Sequence, residues 1–168
     1  GFRVIAPTHQ ACDLLDAAQT RALLAATRPS HILHCAWNVA HGRFWTAPDN
    51  LDWVAATLAL ARHAAGGGVR RFVGLGSCAE YDWSDGGAAD RAETDAARPE
   101  TPYGKAKLAT ANLLNALCAE AGMGFAWARL FHLYGLGELP ARCVPSITRP
   151  LAEGRPAVVR NGALVRDM

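Results

Sequence analysis

Short apolar runs separated by longer stretches of helical periodicity constrain this chain more than any other feature of its sequence. Such alternation is the sequence form of repeated strand–helix units, which build a parallel sheet. Residues 3–6 read as a strand. Asp16 can cap a helix that runs through Leu23 and Leu24 to Thr27, with Pro29 closing it. Residues 31–36, HILHCA, read as a buried strand. Pro48 and Asp49 open a second helix with apolar positions at Leu51, Val54, Ala55 and Leu58, and the run Gly66, Gly67, Gly68 stops it. Residues 71–75 follow as a strand, and residues 82–98 as an irregular polar loop long enough to cover a site. Pro102 suits the first turn of a helix continuing through Leu113, Leu114 and Leu117 to Gly122, and residues 125–133 form the next strand. The tail carries a short helix around residues 147–153. Two extended runs, 157–160 and 163–166, follow it, joined by the hairpin pair Asn161-Gly162.

A chain of 168 residues with 51% hydrophobic content has room for one domain with a sizeable core. Its net charge of +2 is spread along the sequence, so no basic run points to nucleic acid or to a membrane surface. The most apolar stretch, residues 54–61, falls far short of the roughly 20 residues a spanning helix needs. A small molecule is the expected partner, with self-association into a homodimer left open. Cys12, Cys35, Cys78, Cys118 and Cys143 are odd in number and contain no C-x-x-C pair, which argues for a reducing, cytoplasmic setting. His31 and His34, three apart on a strand, point to opposite faces and make a poor metal pair, so no metal is expected. The chain opens on Gly1 and stops at Met168 just after Arg166 and Asp167, and both ends are expected to be cut.

Tyr103 and Lys107 stand four positions apart near the start of a helix, where such side chains share a face. A free phenol with a pKa of about 10 is a poor base at neutral pH, but a neighbouring ammonium favours the phenolate. Tyr103 could then exchange a proton with a substrate alcohol or carbonyl. With three tyrosines and two lysines in the chain, such a pair arises by chance about 4% of the time. Context strengthens it, because the strand at 71–75 runs into Gly76 and Ser77, and the carboxyl ends of parallel strands are where open α/β sheets place their crevice.

These residues and the order in which they occur resemble the extended short-chain dehydrogenase/reductases, the NAD-dependent epimerase/dehydratase group. RRFVGLGSCAEY, residues 70–81, is similar to the family's R-F-V-x-x-S-S-x-x-x-Y, with Ser77 at the catalytic position. Glu93, Pro99 and then Tyr103 through Lys107 follow its E-x-x-x-x-x-P-x-x-x-Y-x-x-x-K, and ARLFHLYG resembles R-x-x-N-x-Y-G. Asp13-Leu14 resembles the Asp-Leu that meets the adenine ring. HILHCAW resembles the strand whose end, here Ala36 and Trp37, passes the cofactor; Asn50-Leu51 resembles the Asn-Val that opens the next helix. Val165-Arg166-Asp167 resembles a segment whose arginine reaches the nucleotide-sugar end of the cleft.

The resemblance implies a truncated, Rossmann-like doubly wound parallel sheet. Residues 1–135 would form a partial NAD(P)-binding domain and residues 136–168 the start of a substrate-binding region. It implies Ser77, Tyr103 and Lys107 as catalytic residues, and Asp13, Leu14, Ala36, Trp37 and Asn50, with Tyr103 and Lys107, at NAD or NADP. Cys78, Ala79, Trp83, His132 and Arg166 would face the substrate, a nucleotide sugar. Cys78 and Ala79 stand where dehydratases of the family carry an Asp-Glu pair, which disfavours loss of water and favours keto-sugar reduction or 4-epimerisation. On an extended segment Glu80, one position later, would point to the other face. His132 replaces the family's asparagine, and Trp37 replaces a small residue, so that Trp37 and Trp83 are candidates for substrate contact. The Gly66–Gly68 run follows a helix and precedes a strand, the reverse of the pyrophosphate-binding order, so the glycine-rich turn is expected upstream of Gly1. Two rival readings are a non-catalytic dinucleotide sensor and a fragment that is inert by itself.

Overall fold

The strand–helix alternation is realised as three parallel strands in the order β1-β2-β3, formed by His31–His34, Arg71–Ser77 and Gly124–Leu130. A computed structural model describes residue 1, residues 3–86, residues 90–159 and residue 162. In chain order, α1 spans Ala17–Thr27, α2 Asn50–Gly66, α3 Pro102–Glu120 and α4 Cys143–Ala152. The register aligns Ile32 with Phe72 and Phe72 with Phe125, which puts all three rings and branches on one face of the sheet. That face is the core. Phe72 packs there with Leu60, Ala61 and Ala64 of α2 and Leu114 and Cys118 of α3, with Leu24 of α1 against the same cluster. The arrangement is a truncated, Rossmann-like parallel sheet with flanking helices, and Leu33, which points away from this cluster, is 65% exposed.

Local chemistry sets the helix ends. Asp16 accepts the N–H groups of Ala18 and Gln19 and so caps α1, while Thr101 accepts from Gly104 and caps α3 just ahead of Pro102. The expected stripe on α2 is displaced. Leu51 is 74% exposed, and the inward stripe runs through Asn50, Thr57, Leu60, Ala61 and Ala64. Two polar residues on that stripe are inside because each has a partner. Thr57 Oγ1 lies 3.0 Å from His34 Nε2, and the Asn50 amide bonds the carbonyls of Phe44 and Ala47.

Three expectations need correction or stand aside. Residues 3–6 form no strand: among the described residues β1 pairs only with β2, so they have no ladder to join, and Val4 and Ile5 are exposed. The helix expected at 147–153 begins at Cys143, because Pro145 falls in its first turn, where a missing N–H breaks no helical bond. Most of the hairpin around Asn161 and its second arm, residues 163–166, lies outside the described residues. No helix among those described is long and apolar enough to cross a membrane.

His34 ties the sheet to α2 at a cost in acid. Burial, with a smaller contribution from the Lys107 charge, pushes its pKa down to about 4. The unfolded chain takes up this proton near pH 6.5 and the folded chain only near 4, so stability falls as pH drops through that window. Unfolding free energy is expected to fall by about 3 kcal/mol between pH 7 and pH 4 from this residue. Denaturant titrations of the protein and of His34→Gln check it: the variant should lose most of this acid sensitivity, and an unchanged slope would contradict the assignment.

Candidate functional site

The carboxyl end of β2 turns sharply after Ser77 into a 3-10 turn, Cys78–Glu80. Ser77 and Glu80 close that turn together: Ser77 Oγ accepts the Ala79 N–H at 3.2 Å, while Glu80 Oε1 accepts the Ser77 N–H at 2.8 Å. This is a capping box on a single turn. The first turn of α3 passes directly against it. A Cβ at Gly104 would lie 2.3 Å from the Ala79 carbonyl oxygen, so only glycine lets α3 approach this closely. The approach brings Tyr103 close enough to Ser77 for the serine side chain to influence its titration.

Tyr103 is 6% exposed, enclosed by aromatic edges. The ring centres of Phe44, Trp45 and Trp37 lie 4.8, 5.7 and 6.4 Å from its own, all near perpendicular. Phe44 and Trp45 belong to a second 3-10 turn, Phe44–Thr46, between β1 and α2. One turn along α3, Lys107 reaches back to the end of β2 and donates to the Leu75 carbonyl at 2.9 Å. Its ammonium lies 3.9 Å from the centre of the Trp37 ring and 5.8 Å from that of Tyr103.

Ser77, Tyr103 and Lys107 thus come together as the sequence suggested, but the electrostatics differ. Burial raises the Tyr103 pKa, the neighbouring Ser77 side chain opposes that rise, and the charges of Glu80 and Cys78 add to it. Lys107 does not draw it down. The ammonium is turned toward a carbonyl and an indole face, and desolvation of the phenol outweighs the attraction of a cation in that position. The cluster is therefore a protonated phenol beside a serine hydroxyl at neutral pH.

The other expected contacts divide. Ala36 is half-buried just past the end of β1, and Trp37 after it is buried, its indole N–H donating to Asn50 Oδ1 at 2.9 Å while its ring lies 6.2 Å from that of Trp53. Asn50 is committed to Trp37, Phe44 and Ala47 and is only 3% exposed, so it supports the wall of the site from behind rather than lining it. Asp13 is engaged locally, its carboxylate accepting from the Leu15 N–H, and Leu14 is half-buried beside it. Trp83 donates to the Cys78 carbonyl at 2.8 Å, with Arg91 over its ring and Phe131 at its edge, so it joins the 82–98 loop to the Cys78–Ala79 turn. His132 is exposed beyond the end of β3, and Arg166 lies outside the described residues.

Sequence reasoning missed the group that anchors the site from beneath. Glu80 does not sit on an extended segment, since the 3-10 turn carries its side chain inward, where it is fully buried. Its Oε2 accepts from Arg129 Nε at 3.0 Å, and both oxygens lie within 3.1 Å of Trp127 Nε1. Trp127 in turn fills the space left by Gly74 and Gly76, where a Cβ would lie within 2.4 Å of its ring atoms. Arg129 was legible only as one letter of the ARLFHLYG stretch. The available signal was an arginine and a tryptophan two apart on one strand face, with no acid of their own on that strand.

A family model described as the NAD dependent epimerase/dehydratase family matches residues 2–168. Among solved structures, the chain is similar to a UDP-glucose 4-epimerase of Thermus thermophilus in complex with NAD, with 21% identity and a TM-score of 0.69 over 86% of this chain and 48% of that one. It is similar to a UDP-glucose 4-epimerase of Thermotoga maritima with UDP-glucose, with 21% identity and a TM-score of 0.68 over 84% and 48%. The enzyme WbmG of Bordetella bronchiseptica, in complex with NAD and UDP, gives 22% identity and a TM-score of 0.66 over 84% and 43%. These likenesses show the fold, and the chain spans less than half the length of each of those proteins. No curated protein sequence matches it.

The placement of Lys107 opposes folding while its charge persists. Burial pushes its pKa from 10.5 down to about 8, so the folded protein holds an ammonium at neutral pH that water would solvate better. Lys107→Met is expected to be more stable than the wild type at pH 7, by on the order of 1–3 kcal/mol. The advantage should shrink as pH rises from about 8 toward 10, where the folded protein has already released this proton. Thermal unfolding of both proteins across that range checks it, and a variant less stable than wild type at pH 7 contradicts it.

Proposed function

Because the chain belongs to the NAD dependent epimerase/dehydratase family, we propose that the protein binds NAD and interconverts the hydroxyl and keto forms of a sugar carried on a nucleotide. Reduction of a keto-sugar and 4-epimerisation are the two reactions this reading covers. The observation that carries it is the buried Tyr103 phenol, set beside Ser77 at the carboxyl end of β2, with Lys107 one helical turn away. The NAD, UDP and UDP-glucose held by the similar structures support the choice of nicotinamide and of substrate class.

The donor set fits a nicotinamide ribose. An ammonium has three N–H donors, and Leu75 takes one from Lys107, which leaves two for a ribose diol. When bound, the nicotinamide supplies the acceptor and donor of hydride. Ser77 orients the sugar oxygen through its hydroxyl, and Tyr103 gives that oxygen a proton in reduction or takes one in oxidation. The raised Tyr103 pKa favours the protonated phenol, so proton donation is ready at neutral pH and proton abstraction gains with rising pH. Loss of water from the sugar needs a carboxylate pair at the turn. Cys78 and Ala79 offer none, and Glu80 is committed to Ser77, Trp127 and Arg129. Homodimerisation and a cytoplasmic setting belong to the same reading, and the five free thiols fit a reducing compartment.

Tyr103→Phe tests the proposal in the full-length protein. Turnover of a UDP-sugar should fall by about 10²–10⁴-fold, with NAD affinity by calorimetry held within a few-fold. Wild-type turnover in that variant, with cofactor still bound, would rule the assignment out.

A further inference from the structure

Glu80 is the most deeply buried charged group among the described residues, and no part of the proposed chemistry uses it. Its surroundings show what it does. Oε1 holds the backbone N–H of Ser77, while Oε2 holds Arg129, and Trp127 bridges the two oxygens. Arg129 continues outward: its Nη1 donates to the carbonyl of Glu93 at 3.3 Å, in the loop that follows the turn, and its guanidinium lies 4.8 Å from the centre of the Tyr81 ring. A single carboxylate therefore connects the residue that would orient the substrate oxygen with β3 and with the 82–98 loop.

A serine hydroxyl can be aimed only if the backbone that carries it is fixed. Ser77 has extended backbone angles immediately before a 3-10 turn, and its N–H would otherwise be a buried donor at the point where the strand ladder ends. Glu80 satisfies that donor and closes the turn. The turn in turn places the Ala79 carbonyl against Gly104, the step that sets Tyr103 beside Ser77. A plain apolar residue at position 80 would leave Ser77 N–H, Trp127 Nε1 and Arg129 Nε all without their acceptor.

We infer that Glu80, paired with Arg129, is the positioning residue of the site: it fixes the Ser77 hydroxyl and the spacing between Ser77 and Tyr103 without touching substrate or cofactor. This rests on the function proposed above. The charged and titratable groups around it are Arg129 on β3, Tyr81 and Cys78 on the turn, and Tyr103 and Lys107 on α3. Because the Glu80 charge helps hold the Tyr103 pKa up, its removal moves that titration to lower pH.

The experiment compares the wild type, Glu80→Gln and the double variant Glu80→Val with Arg129→Leu in the full-length protein. The amide of Glu80→Gln keeps one acceptor but faces Arg129 with a donor. The double variant removes both charges together, so neither is left buried alone. The expected result in both is a kcat lower by about 10–100-fold, with the Kd for NAD within about twofold. The pH profile of kcat should also move its Tyr103 limb to lower pH. Wild-type kcat and an unshifted profile in both variants, with Tyr103→Phe inactive, would overturn the positioning role and leave the Tyr103 assignment standing. A lowered kcat with an unshifted profile and a matching loss of NAD affinity would overturn it in favour of a purely structural role. An active Tyr103→Phe would instead overturn the function on which the inference rests.

Discussion

The Glu80 carboxylate lies out of reach of water between the ends of β2 and β3, and an interior charge of this kind persists only if its neighbours supply what water would have supplied. Three donors from two strands do so here, and they cannot be supplied one at a time. Arg129 and Trp127 must be in register with Ser77 across the sheet before the carboxylate has a full set of partners. The register of β3 on β2, the turn after Ser77 and the seat of α3 on that turn are thus specified together. Removing one partner would leave the others with an unmatched charge, which is far worse for an interior than having no charge at all.

The second constraint is steric and comes from aromatic rings. Trp37, Phe44 and Trp45 close around Tyr103, and Trp37 gives Lys107 an indole face in place of an anion. Phenol and ammonium are both removed from water, and both are shifted toward their neutral forms as a result. For Lys107 the same desolvation opposes folding while its charge persists.

Strand and helix order was legible because it depends on hydrophobic period and on stop signals, both of which are local. Asp16, Pro102 and the Gly66–Gly68 run mark their helix ends correctly without help from tertiary structure. The inward stripe of α2 was not legible, since Asn50 and Thr57 are polar and are inside only because Trp37 and His34 wait there as partners. Residues 3–6 failed for the complementary reason: an extended apolar run becomes a strand only where a neighbour offers a ladder. Within the site, the pairing of Tyr103 with Lys107 follows from helical spacing and Ser77 from its place at a strand end. Glu80 was misjudged because its direction depends on a single 3-10 turn. The electrostatic balance at Tyr103 was beyond reach, for it is set by how many rings surround the phenol rather than by which residue stands four places away.

Gly74, Gly76 and Trp127 make one composite side chain out of three positions on two strands. The indole occupies volume that two missing Cβ atoms leave open, and its N–H ends on Glu80. In evolutionary terms these positions are a single character. A lineage that placed even an alanine at 74 or 76 would have to shrink residue 127 in the same step and find Glu80 another donor. The ancestry of this arrangement should therefore be visible as joint substitution at four positions more than 45 residues apart in the chain from end to end.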